Sequence, residues 1–74
     1  MKYIVIEIQK FADGVISVPP VNTYEDWYDA LSRYHTILAG AALSDVPVHS
    51  AIILNDVGQE LRMDSYNKAD GQVT

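Results

Sequence analysis

Few side chains in this 74-residue sequence could move a proton at neutral pH. His35 and His49 are the two imidazoles, and Ser32, Thr36, Ser44 and Ser50 are the hydroxyls that could accompany them. Nucleophilic catalysis needs a nucleophile, a base and an orienting group within hydrogen-bond reach. His49 and Ser50 are adjacent in an extended run, so they point to opposite faces of a sheet and cannot work together. None of the hydroxyls lies in a glycine-rich turn or strained elbow. Glu25, Asp26 and Asp29 gather where a helix should begin, and their ordinary role there is to complement the positive end of the helix dipole. Asp56, Glu60 and Asp64 straddle a turn without calcium-loop spacing, and neither phosphate-loop nor dinucleotide-fingerprint glycines occur. Cysteine is absent, which removes disulfides and leaves a structural zinc site without thiolates. These residues predict a protein that is not an enzyme and holds neither cofactor nor metal.

Binding of a small anion is a different matter, because a local cluster can be basic on an acidic chain. The candidate ligand residues are Arg33, Tyr34, His35, His49 and Arg62. Arg33 beside Tyr34 puts a planar guanidinium and an aromatic ring within reach of one ligand. Its plain alternative is an ion pair with Asp29, one turn earlier. His49 is expected on the sheet face away from the helix. A crevice between protomers would gather several copies of these groups, which one chain of this size cannot do.

The elements that must position these groups follow from periodicity. In the run Lys2 to Phe11, Ile4, Ile6 and Ile8 share one face and Tyr3, Val5, Glu7 and Gln9 the other. The isoleucine face reads as core. Asp13-Gly14 supplies a hairpin turn, after which Val15 to Val18 should pair back until Pro19-Pro20, which cannot donate ladder hydrogen bonds. Asn22 and Thr23 are candidate N-caps, with Glu25 or Asp26 at capping-box spacing, and predict a helix from about Tyr24 to Leu43 or Ser44. Trp27, Leu31, Tyr34, Leu38 and Ala41 form its stripe over the isoleucine face. Val48 to Leu54 reads as a covered strand, Asn55-Asp56-Val57-Gly58 as a turn, and Gln59 to about Tyr66 as the last strand. The expected fold is α+β with order ββαββ: a four-stranded antiparallel sheet, 2-1-3-4, with one helix on one face. One domain spans 1–66, followed by a polar, fraying tail over 67–74.

Two features predict self-association. The helix segment Ile37 to Leu43 has no polar side chain on any side, and a helix that is apolar all round is buried all round. Thr36, Gly40 and Ser44 make a row of small residues along it, with Leu43 beside them, while Gly40 costs about 1 kcal/mol of helix propensity against Ala. The alternative is that this row receives the chain's own C-terminal tail. The sheet face away from the helix, expected to carry Tyr3, Val5, Ala51 and Ile53, is the second candidate surface. Thr36, Gly40, Ser44, Leu43, Tyr3 and Ile53 are therefore the expected contacts to another copy. A chain this short buries only about 60% of its unfolded surface, and with neither disulfide nor metal to staple it, another copy is the remaining support.

Ten acidic against five basic side chains give a net charge of −5. Such a field repels phosphate backbones and anionic lipid, so polymeric nucleic acid and membrane surfaces are unfavoured partners. No apolar run approaches the ~20 residues of a membrane span, and Met1-Lys2 leads straight into a strand pattern without a signal-type apolar region, as expected of a soluble, unsecreted chain.

Met1 to Gln9, the Asp13-Gly14 turn, Tyr34-His35-Thr36-Ile37-Leu38-Ala39-Gly40-Ala41-Ala42 and Val46-Pro47-Val48-His49-Ser50-Ala51 resemble short, uncharacterised proteins of phages and prophages of gut Gram-positive bacteria. The likeness covers nearly the whole chain except the tail, with departures at Pro19-Pro20 and Val57 that bear on the length of the second strand. It implies an accessory protein acting in the host cytoplasm. By analogy of class, it implies a homo-oligomer that sequesters a small host nucleotide immune signal between subunits. The rival expectation is a protein-interaction or virion-associated module.

Overall fold

The computed structural model describes residues 1–68. Along the chain run β1 (Tyr3–Lys10), β2 (Ile16–Ser17), β3 (Asn22–Tyr24), α1 (Trp27–Leu43), β4 (Val48–Asn55) and β5 (Glu60–Asn67). The class is α+β: one antiparallel sheet carries one helix, with strands connected in the order β2-β1-β4-β5 and β3 also paired to β1. The expected four-stranded sheet is corrected to five strands. β2 pairs at Gln9–Lys10 and β3 at Tyr3–Val5, so the two short strands share one edge of β1, one at each end. Pro19-Pro20 lies between them, where no donor is needed.

That fifth strand shifts the helix start. Asn22 and Thr23 do not cap; Thr23 and Tyr24 are good strand formers whose backbone pairs with β1. The cap is Asp26, in extended conformation, accepting at Oδ2 from the Asp29 N–H at 3.2 Å. At the far end the Ser44 N–H donates to the Ala41 carbonyl, and Lys68 Nζ donates to the carbonyls of Ala41 and Ala42 at 3.2 and 3.0 Å. A cation on orphan carbonyls at the negative end of the dipole is a favourable terminus. Asn67 and Lys68, expected as the start of a fraying tail, are thus the end of β5 and a helix cap; the rest of that expectation, 69–74, lies outside the described residues.

The turns follow their glycines. Gly14 (φ 89°) closes the first hairpin, where Asp13 Oδ1 also accepts from the Val15 N–H, and Gly58 (φ 82°) closes the β4–β5 turn. Asn55 organises the latter turn, its Oδ1 accepting from the N–H groups of Val57 and Gln59. A bulge between Ile53 and Leu54 shifts the β4–β5 register there.

The largest correction concerns the faces. The helix covers Val5, Ala51 and Ile53, packed with Ala30, Tyr34 and Ile37 and flanked by Tyr3, Tyr24, Trp27, Leu31 and Leu38. Tyr3 packs edge-on to Trp27, their centroids 5.4 Å apart. Ile4, Ile6 and Ile8, expected beneath the helix, lie on the opposite face, in register with Leu54, Ile52 and Ser50. Tyr3 and Ile53 therefore belong to the helix–sheet core and not to an outer contact surface; Ile53 is fully buried.

Replacing Asp26 by Ala is expected to lower stability by about 1 kcal/mol, whereas Asn22→Ala should stay within about 0.5 kcal/mol. Chemical denaturation of the two variants measures the difference, and equal losses would contradict the assigned cap.

Candidate functional site

The helix-facing side of the sheet is not simply apolar. Pairing aligns Glu7 with Ala51 and Asp64, and Gln9 with His49 and Tyr66. Period-two alternation therefore gives this face two polar rows under the helix. Ala51 is small, which leaves room for the ring of Tyr34 between Glu7 and Asp64. One turn of helix then delivers Arg33 to one side and Tyr34 to the other.

On one side, His49 Nε2 and Glu7 Oε2 are 2.5 Å apart, the ring N–H donating to the carboxylate. Gln9 Nε2 donates to the same oxygen at 2.9 Å, and Arg33 approaches Oε1 at 4.0 Å. The His49 side chain is 7% exposed and Glu7 16%. Burial alone would raise the Glu7 carboxyl pKa, but the hydrogen bonds from Gln9 and His49 and the charges of His49 and Arg33 outweigh it, holding the pKa below its ordinary value. Arg33 Nε and His49 Nδ1 are buried without a hydrogen-bond partner. The expected Arg33–Asp29 ion pair is corrected: the partner is Glu7, across the helix–sheet boundary.

On the other side, the fully buried Tyr34 donates its hydroxyl to Asp64 Oδ2, and the Arg62 guanidinium lies 5.6 Å from the Tyr34 ring centroid. Burial, then the hydrogen bond to Asp64 and its charge, push the phenol up to about 12, against a smaller opposing effect of Arg62. His35 meets the Tyr34 ring edge-on at 5.5 Å and faces solvent.

Within one chain, then, the five proposed ligand residues form two groups: Arg33 with His49 through Glu7, and Tyr34 with Arg62 and His35 beside Asp64. His49 is beneath the helix and not on the outer face. Glu7, Gln9 and Asp64 are the members that sequence reasoning missed. A lone acid between Val5 and Gln9 on a strand face shared with Tyr3 was the available signal, because a part-buried carboxylate demands donors.

A carboxylate–imidazole pair can orient a base for catalysis, but Nδ1, the nitrogen that would face a nucleophile, meets no hydroxyl among the described residues. A depression of about 320 Å³ touches Arg33 and also contains Asp29. A hollow of about 750 Å³ lies between the Asp13-Gly14 turn and Pro47-Val48, lined also by Lys10 and Lys68, and takes none of the five. Among the described residues no three His, Asp or Glu side chains could hold a metal ion, and no helix is long and apolar enough to cross a membrane. The Tyr34–Asp64 bond and, more weakly, the Arg33 approach to Glu7 tie helix to sheet, while His49–Glu7 ties β4 to β1.

Among the described residues nothing packs over the small-residue row; its expected alternative occupant, the C-terminal tail, lies outside them beyond residue 68. Space beside Gly40 is open, Leu43 is 90% exposed, Thr36 donates back to the Ser32 carbonyl, and Ser44 forms the helix end, its Oγ accepting from the Val46 N–H. No family model, curated protein or solved structure matches the chain.

Two titrations test this geometry. A carboxylate with a lowered folded pKa contributes stability above its ordinary value of 4.5 that is lost as pH falls through the folded value. The stability gap between wild type and Glu7→Gln should therefore be widest near neutrality and close in acid; a constant gap from denaturation at several pH values would contradict the clamp. In an ultraviolet titration one of the five tyrosines should ionise only near pH 12, and Tyr34→Phe should abolish that late step.

Proposed function

We propose that this chain is a phage or prophage accessory protein that acts in the host cytoplasm by binding rather than catalysis, and that its working form is a homo-oligomer. In its sharpest version it sequesters a small host nucleotide signal in pockets made between subunits. The observation that carries association is the sheet face with no helix on it. Ile4, Ile6, Ile8, Ile52 and Leu54 remain partly exposed there, although they are more apolar than the residues the helix covers. The phage setting rests on the resemblance of the Tyr34–Ala42 and Val46–Ala51 segments. The inter-subunit placement of a ligand rests on charge: within one chain Arg33 and His49 converge on Glu7 and Arg62 lies over the Tyr34 ring, so an anion would draw chiefly on the lysines, His35 or groups from another copy.

That same pairing favours a second reading, a protein-interaction or virion-associated module, because among the described residues the hollow that Lys10 and Lys68 line also holds Asp13 and Asp45. Thermal shift against a panel of linear, cyclic and ADP-ribose-type nucleotides separates the two. A selective rise in Tm of several degrees is expected for sequestration. A flat panel with a single stoichiometric host or phage protein recovered by pull-down overturns it in favour of the second reading, and a monomer at all concentrations by sedimentation overturns the homo-oligomer.

A further inference from the structure

We infer that a second copy of this chain seats on the face carrying Ile4, Ile6, Ile8, Ile52 and Leu54, sheet against sheet, so that the working unit is a symmetric sandwich with the two helices outside. The inference rests on the homo-oligomer reading and adds which surface makes it. Strand pairing puts Ile4 beside Leu54, Ile6 beside Ile52, and Ile52 beside Met63, so the side chains form a continuous block across β1, β4 and β5. Met63 is 48% exposed at its edge. β-branched side chains on neighbouring strands make the ridged surface that packs against another sheet about 10 Å away.

Area and charge both select a second copy as the occupant. Three strands of eight residues are each about 26 Å long and together about 14 Å wide, and the five residues of β2 and β3 fill part of a fourth position, giving a flat footprint of about 450 Å². Two such footprints bury about 900 Å², close to the lower size at which a specific interface becomes tenable. The chain carries −5 overall, and two like-charged copies meet best where acidic charge is sparse. The alternation places Glu7 and Asp64 on the helix side, while Glu25, Asp26 and Asp29 stand at the helix start, Asp45 at its exit and Asp13 and Asp56 in the turns; Glu60, paired with Leu54 beside the β4–β5 turn, is the carboxylate at one end of the isoleucine face. Lys10, at the end of β1, is the charge on the isoleucine face of that strand. Carboxylates would thus ring the dimer without entering its centre. The helix row at Gly40 then faces solvent.

The natural absence of cysteine makes accessibility directly measurable. Ile52→Cys and Leu43→Cys are labelled with a maleimide across a range of protein concentration, alongside light scattering of wild type, Ile6→Glu and Gly40→Leu, with circular dichroism reporting folding. The expected result is a wild-type dimer, slow labelling at 52 that quickens on dilution, fast labelling at 43 throughout, a folded monomer for Ile6→Glu, and an unchanged dimer for Gly40→Leu. If Ile6→Glu fails to fold, the labelling at 52 decides alone. A dimer in which 52 labels rapidly, or one that Gly40→Leu dissociates, overturns the sheet-face inference while leaving the homo-oligomer reading intact. A wild-type monomer overturns both, and a monomer whose position 52 is protected only by a different added protein assigns the face to that partner instead.

Discussion

One helix can cover only one face of a sheet, and in this protein the covered face is the less apolar of the two. That choice governs everything else in the fold. It places Val5, Ala51 and Ile53 in the core and draws Glu7, His49 and Asp64 under the helix. It leaves a block of isoleucines on the face that carries no helix among the described residues. Area burial alone would favour the opposite arrangement, since each buried methylene contributes about 0.8 kcal/mol. What outweighs it is the requirement that partly buried polar groups be paired. Arg33 and Tyr34 project from the helix, and the groups that can pair them, Glu7 and Asp64, stand on the odd positions of β1 and the matching positions of β5. Turned the other way, the helix would set a guanidinium and a phenol against isoleucine and methionine.

The polar boundary also sets helix position, which an apolar interface does poorly because it tolerates sliding. Ala51 gives the Tyr34 ring its place, and the hydroxyl bond to Asp64 on one flank with Arg33 and Glu7 on the other fix rotation about the helix axis. Pairing is uneven in strength. Arg33 is 38% exposed on its side chain and its approach to Glu7 is long, so solvent discounts that pair to a fraction of a kcal/mol. The His49–Glu7 hydrogen bond is short and mostly shielded, and is the stronger tie.

How much of this was legible follows from the same physics. Helix, hairpin turns and strand connectivity were readable because Asp13-Gly14, Val57-Gly58 and the Trp27–Leu31–Tyr34–Leu38–Ala41 stripe each have one sensible interpretation. The β3 strand was not, because Asn22-Thr23 suits a cap as well as an edge strand, and only pairing with Tyr3–Val5 decides it. Strand parity was misread for a related reason. Tyr3 and Val5 are apolar like Ile4 and Ile6, and Ala51 and Ile53 like Ile52 and Leu54, so period-two alternation separates the faces without saying which meets the helix. The deciding mark was Glu7, whose need for donors outranks the hydropathy of its neighbours. Arg33 and His49 were legible as chemistry-bearing residues, but their convergence on one carboxylate depends on the Gln9–His49 register, which no local pattern contains.

The uncovered isoleucines also bear on how so small and acidic a chain stays folded. Seven hydrophobic side chains form the buried core among the described residues, and three of these are alanines. Such a core supplies few large apolar groups against the ordering entropy of the chain, and a sequence without cysteine has no disulfide to add to it. The bulkier aliphatic residues lie just outside, on a broad surface whose carboxylate, Glu60, stands at one end beside the β4–β5 turn. Acidity and the proposed association need not conflict: with carboxylates concentrated at the helix and turns, stacking isoleucine on isoleucine is an orientation that brings few of them together. On that proposal a net charge of −5 would act less as a bar to self-assembly than as a selector of its geometry.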